Sequence, residues 1–324
     1  MVGLGKMLVG AMPWLIIAGL LSAALYVDPV SISDPVKPRP IMPQDRFYDA
    51  ASDSAGHVWM VGNLGKALRS DDGGHTWQNK SPSVNETLQS IAVWDTETVV
   101  AVGDGGTVVV TRDGGERWQT VEVPISEIAN TLIRVRIIED RAWVVGEFGA
   151  LLVSDNRGES WSQVVDAEDS TWHDIAGIGG TLLVVGEFGR ILRSENGGET
   201  WGAVTPLVEE TLNAVHLRED GVGLAVGLAG VILMTKDHGE TWEVGTVVSA
   251  EHLYAIEWDG HRWLALGANG AVLQTASEMV NWTATRVSED NFAWRTAALP
   301  TERGWFLVGA DQGFLNDGRW QPLN

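Results

Sequence analysis

Thr171 to Val204 reads TWHDIAGIGGTLLVVGEFGRILRSENGGETWGAV, and the fold is decided in this stretch. Trp172 to Ala176 is expected to form a first short strand. Thr181 to Val185 is an unbroken apolar run and a second strand. Gly186-Glu187-Phe188-Gly189 is a turn, and Arg190 to Arg193 a third strand with Ile191 and Leu192 at its centre. Ser194 to Thr200 is a turn rich in glycine and asparagine, and Trp201 opens a fourth strand. Four short strands with tight turns in about 41 residues match one blade of a β-propeller. No helical period occurs after residue 27.

The unit repeats along the chain. A tryptophan late in each unit recurs as Trp77, Trp118, Trp161, Trp201, Trp242, Trp282 and Trp320. A central glycine recurs as Gly62, Gly103, Gly146, Gly186, Gly227, Gly267 and Gly309. The two anchors are independent and keep nearly the same period, which is the signature of a repeat architecture. First strands are expected at Phe47 to Ala50, Leu88 to Ala92, Leu132 to Ile137, Trp172 to Ala176, Leu212 to Leu217, Leu253 to Trp258 and Ala293 to Ala298. The fold class is therefore all-β, a seven-bladed propeller over 45–324. A four-stranded unit cannot bury both faces alone, and radial stacking covers them. No half-blade is left over at either end, so the ring closes by packing of blade one on blade seven, or residues 36–44 add an edge strand.

The turn before the late tryptophan is itself a motif. It reads SDDGGHTW at Ser70–Trp77, TRDGGERW at Thr111–Trp118, SDNRGESW at Ser154–Trp161, SENGGETW at Ser194–Trp201 and TKDHGETW at Thr235–Trp242. Asp or Asn at the third position can accept hydrogen bonds from turn amides. Glycine supplies a conformation that other residues resist. Five copies of one acidic turn indicate scaffold rather than calcium binding or catalysis.

The composition narrows the partners. A formal net charge of −21 argues against a nucleic-acid backbone as partner. Cysteine is absent, so no disulfide or thiolate site is available. Met7 to Tyr26 is a twenty-residue run without a formal charge, preceded by Lys6. A helix of that length would span a hydrocarbon core. Residues 1–27 are thus expected to be one transmembrane helix or, since Ser22-Ala23-Ala24 offers small residues, a cleaved signal segment. Residues 28–44 carry several prolines and form a linker. The expected topology is single-pass in the inner membrane, with the propeller on the periplasmic or outer side and the lipid bilayer contacted through the helix.

Runs such as VGNLGKALRSDDGGHTW at Val61–Trp77 and VGEFGRILRSENGGETW at Val185–Trp201 resemble the Asp boxes of sialidase-like and BNR-repeat propellers. More specifically, 45–324 resembles the photosystem II stability/assembly factor family and its non-photosynthetic bacterial relatives. That resemblance implies a non-enzymatic interaction module, an accessory or assembly factor. Its implied partner is an integral membrane protein or complex, such as an RND-type (MmpL-like) permease. The competing reading is a glycan-processing or glycan-binding sialidase-like propeller. It would require an arginine cluster, a tyrosine nucleophile with a glutamate, and an acid/base aspartate converging in a pocket. Only Tyr26, Tyr48 and Tyr254 are present as tyrosines, and these residues do not match the family's catalytic positions. No catalytic residue, cofactor or metal site is expected, since the histidines are scattered and the glycine-rich turns join strand to strand.

The candidate partner-binding residues are Arg134, Arg136, Glu147, Phe148, Glu187 and Phe188. Strands two and three of each blade are joined by a short turn on the face opposite the Asp boxes. In blades three and four that turn carries Glu-Phe, where other blades have Asn63-Leu64, Asp104-Gly105, Leu228-Ala229 or Ala268-Asn269. Aromatics beside charges favour interfaces. The alternative is that both rings fold down as extra core. Arg134 and Arg136 lie on the first strand of blade three, as partner contacts or as arginines paired with carboxylates.

Overall fold

Each repeat folds as a separate antiparallel meander of four strands, and seven such sheets follow one another along the chain. The computed structural model describes residues 39–323, apart from residues 127, 129, 278 and 280. Innermost strands run Phe47–Ser52, Leu88–Val93, Leu132–Ile138, Trp172–Ile178, Leu212–Leu217, Leu253–Trp258 and Arg295–Thr301. In blade four the remaining strands are Thr181–Gly186, Ile191–Ser194 and Gly202–Val204. The repeat phase read from sequence holds. The innermost strand of blade seven begins at Arg295, two residues beyond the expected start.

The second strand of every blade ends in a five-residue apolar run that is buried throughout, as in Val99–Gly103 and Gly223–Gly227. Burial on both faces is possible only if each blade is sandwiched by two others. Seven hydrophobic clusters result, one in each gap between neighbouring blades. The gap between blades seven and one is filled by Phe47, Met60, Leu68, Phe306 and Phe314. There Trp77 stacks on Phe306 with ring centroids 5.6 Å apart. Nearer the axis Tyr48 stacks on Trp294 at 5.6 Å, and Thr296 Oγ1 donates to the Tyr48 carbonyl at 2.8 Å. Blade one takes all its strands from the start of the propeller and blade seven all of its from the end. Closure is therefore by side-chain packing, and residues 39–44 form no strand.

The expectation of a transmembrane helix ahead of the propeller is corrected. Among the described residues no helix is long and apolar enough to cross a membrane. Their helical elements are three-residue 3-10 turns such as Asn63–Gly65 and Glu187–Gly189, whereas spanning needs about 20 apolar residues. The run at 7–26 lies outside the described residues. Among the described residues the fold class is thus the seven-bladed propeller, with no spanning helix. The single-pass inner-membrane placement with the propeller in the periplasm is withdrawn, as are the bilayer contact and the integral-membrane partner that went with it.

Candidate functional site

The Asp-box turns are built identically from local bonds. In blade one the Ser70 hydroxyl accepts from Gly74 N at 2.7 Å and donates to Asp72 at 2.7 Å. Asp72 then accepts from Thr76 N at 2.8 Å and from the Thr76 hydroxyl at 2.6 Å. Blade four repeats this with Asn196, which accepts from Thr200 N at 2.9 Å and donates to its hydroxyl at 2.9 Å. Burial pushes the Asp72 carboxyl up, but the bonds from Thr76, Ser70 and His75 outweigh it and hold it at about 2. Asp237 is held at about 2 by the equivalent bonds from Thr241 and Thr235. The carboxylates are occupied by their own turns. Among the described residues no three His, Asp or Glu side chains gather as a metal site.

The glycine three residues before the tryptophan, in the five complete Asp boxes, is fixed by the blade before it. Gly198 has φ +87°, and a Cβ there would lie 2.2 Å from the Trp143 ring of blade three. Trp201 closes over the same place, edge-on to Trp143 at 5.9 Å, with its indole N–H donating to Gly198 O at 3.1 Å. The late tryptophan is thus an inter-blade wedge and lies just ahead of the fourth strand.

The opposite face carries the turns between strands two and three together with the links from blade to blade. In blade three, Gly149 N donates to Ser170 O in the following link. Glu147 Oε2 accepts from Thr131 N at 2.8 Å, and Glu187 Oε2 accepts from Thr171 N at 2.9 Å. Asn63 does the same to Arg46 N in blade one. The first residue of the turn therefore staples it to the start of the innermost strand. The second residue has positive φ, 55° at Phe148 and 58° at Phe188, and its side chain is left without a structural task. Neither ring belongs to any inter-blade cluster. Phe148 is half-buried, and Phe188 is 65% exposed.

Other exposed apolar side chains gather on this link face. Leu64, 71% exposed, occupies the Phe188 position in blade one. Ile128, Leu207, Val247 and Phe292 lie in links between blades, and Met42 leads into blade one. Among the described residues the remaining large exposed apolar side chain is Val244, on the outermost strand of blade five.

Arg134 and Arg136 lie at the axis, within a charge network assembled from six blades. Arg134, 7% exposed, has Nη1 3.2 Å from Asp49 and Nε 3.5 Å from Asp174. Arg136 reaches Asp174 at 3.3 Å and, on the sixth blade, Glu257 at 3.5 Å; Glu257 is also bound by His216 at 3.0 Å. Burial lowers the Arg136 guanidinium's affinity for its proton, but Asp174, Glu257 and Asp49 more than compensate and raise its pKa. Burial pushes the Glu257 carboxyl up, while His216, Arg136 and Arg134 hold it below the usual range. Each innermost strand has a register shift near its start. Polar side chains beside that shift bind backbone N–H groups of the next blade. Asp49 accepts from Ile91 N at 3.2 Å, Ser90 from Val135 N at 3.1 Å and Asp174 from Val215 N at 3.2 Å. The arginines neutralise these internal carboxylates, so neither presents a free guanidinium to a substrate carboxylate. Burial, aided by the nearby Arg134 charge, depresses the His173 pKa against the opposing pull of Glu187 and Asp174.

Asp49, Ser90, Asp174, His216 and Glu257 were missed in the sequence. The available signal was a polar residue at corresponding innermost-strand positions in successive repeats. A second internal ion pair was missed as well. Arg295, fully buried, pairs with Asp311 and lies over Trp320.

Four-stranded blades whose third and fourth strands are joined by Ser/Thr-x-Asp/Asn-x-Gly-x-x-Trp turns define a β-propeller of the BNR/Asp-box-repeat kind. Residues 82–215, less than half of the chain, match the family described as photosynthesis system II assembly factor YCF48. The chain is thus a propeller with Asp-box turns that is similar, over those residues, to that assembly-factor family. Among solved structures, YCF48 bound to D1 peptide superposes with a TM-score of 0.67 at 17% identity, covering 82% of this chain and 90% of that one. YCF48 from Cyanidioschyzon merolae gives 0.69 at 15% identity, with 84% and 95% covered. Virginiamycin B lyase from Staphylococcus aureus gives 0.70 at 10% identity, with 82% and 92% covered. At such identities the likeness establishes the fold alone, since an assembly factor and a lyase share it. No curated protein matches the chain. None of these likenesses points to an RND- or MmpL-type permease or to sialidase activity, and those finer expectations are not carried forward.

Proposed function

We propose that the protein is a non-enzymatic interaction module, an assembly or accessory factor that docks a partner protein on its link face. The observation that carries this reading is the gathering of exposed apolar side chains there, Leu64 and Phe188 foremost, on turns whose backbone does not need them. Gly105 holds the same position in blade two, with φ 67°. Exposed apolar patches on otherwise polar surfaces mark interaction sites. The related YCF48 structure with a D1 peptide supports a protein segment as the partner class.

Within this reading the six candidate residues take different parts. Phe188, with Phe148 at the same turn position of the preceding blade, makes the contact. Glu147 and Glu187 hold the turns. Arg134 and Arg136 fix the axis of the same sector from below. The test is a paired change of Phe148 and Phe188 to Ser in the full chain expressed in its native cell. Copurification of the partner is expected to fall at least tenfold while the melting temperature stays close to the parent's. Unchanged copurification would remove the link face as the docking surface.

A further inference from the structure

The charges bordering Phe188 select the chemistry of what can dock there. The turn Glu187–Gly189 lies against the link from blade four to blade five, where a Cβ on Gly189 would meet Val208 O at 2.1 Å. Leu207, 47% exposed, precedes Val208 in that link, so Leu207 and Phe188 are both exposed where the turn meets the link. Glu209 and Glu210 follow Leu207 in the same link, and both are exposed. Asp166 and Asp169 are exposed in the preceding link, which packs on the equivalent turn of blade three through Glu168. Among the described residues none of these four carboxylates has an ion-pair partner. The nearby cation, Arg190, is engaged by Glu168 at 2.8 Å and lies over the Trp172 ring at 4.7 Å.

The Asp-box face treats its charges differently. There Arg69 pairs with Asp71, Arg141 with Asp155, Arg157 with Asp95 and Arg218 with Asp220. Acidic charge on that face is interleaved with arginine. On the patch around Phe188 it stands alone beside exposed apolar surface. Like charges across an interface cost several kcal/mol, and complementary ones steer encounter.

We propose that the Phe188–Leu207 patch docks a protein segment carrying apolar side chains flanked by lysine or arginine. This rests on the docking role of the link face and adds the chemistry of the partner. An apolar residue of the segment lies against Phe188 and Leu207, and its cations face Glu209, Glu210, Asp166 and Asp169.

Two labelled synthetic peptides test this with the full-length protein. One alternates leucine with lysine, the other leucine with glutamate. The lysine peptide is expected to bind, with a Kd that rises several-fold between low and physiological salt. Binding should weaken about tenfold in Phe188→Ser/Leu207→Ser and by a smaller factor in Glu209→Gln/Glu210→Gln. Glu199→Gln/Glu240→Gln, on exposed Asp-box turns, should leave the Kd unchanged. With a net charge of −21, non-specific attraction is the competing explanation. Equal losses in the two glutamate pairs would show that attraction and overturn the proposal, as would equal binding of the glutamate peptide. If either occurred while copurification still depended on Phe148 and Phe188, the docking face would stand and only the basic character of its partner would fall.

Discussion

The two faces of the propeller are built from equally regular turns, but they use side chains in opposite ways. On the Asp-box face the side chains make the turn. Ser70, Asp72 and Thr76 close one hydrogen-bonded loop, and Ser194, Asn196 and Thr200 close its copy three blades on. Change is confined to substitutions that keep the acceptor, as Asp for Asn. On the link face the backbone makes the turn, through a residue at positive φ followed by glycine. The residue at positive φ then varies freely in type, and it is Leu64, Gly105, Phe148, Phe188, Ala229 or Asn269. Sequence repetition therefore marks scaffold in this molecule, and departure from it at a structurally repeated position marks a side chain that the fold does not prescribe.

The contrast predicts unequal costs. Trp201→Ala on the Asp-box side removes a half-buried wedge from between blades three and four. The expected loss is about 3 kcal/mol, the low end for emptying a large aromatic site because part of the ring already meets solvent. Thermal or denaturant unfolding of the full chain measures it. A loss below about 0.5 kcal/mol would place Trp201 on the surface and break the contrast.

Acid should weaken the Asp-box face first. Asp72 and Asp237 are held at about 2, below the ordinary carboxylate value near 4. A folded-state value below the unfolded one contributes stability that is fully present above about pH 4 and is lost as pH falls through about 2. Both carboxylates are largely open to water, so after solvent screening each contributes on the order of 1 kcal/mol or less. Asparagine keeps the acceptor, as Asn156 and Asn196 do naturally. Asp72→Asn/Asp237→Asn should therefore be slightly less stable than the parent at pH 7 and converge with it by about pH 2. Parallel stability curves over this range would show that the turn carboxylates are not the cause.

The smallest expected effect is on the link face and has the opposite sign. Phe188 at φ 58° sits where glycine is at ease and other residues are strained by about 1 kcal/mol. Phe188→Gly relieves this, against the greater chain entropy of glycine, so a gain of about 0.5 kcal/mol is expected from the denaturation midpoint. A loss above about 1 kcal/mol would mean that the ring is core after all.

The fold was legible because its signals are local and repeated. The spacing of Trp77 through Trp320 and of Gly62 through Gly309 reports one blade at a time. Strand limits came close, and blade seven was misplaced by two residues because Arg295 stands where other blades carry Phe47, Leu88 or Trp172. The axial network was not legible. Asp49, Arg134, Asp174 and Glu257 meet only once the ring closes, and no local pattern shows Arg136 crossing from blade three to blade six. The Glu-Phe turn was visible as a pair but not as two roles. That Glu187 staples the turn to Thr171 while Phe188 is released depends on the positive φ of the second residue, a conformation that sequence leads one to expect at glycine.

A photo-crosslinking residue placed at position 188, and in a second variant at position 199, tests the two-face account most directly when each full-length chain is expressed in its native cell and irradiated. The account predicts a discrete protein adduct from position 188 and none from position 199 on the Asp-box turn. Adducts from position 199 with none from position 188 would contradict it.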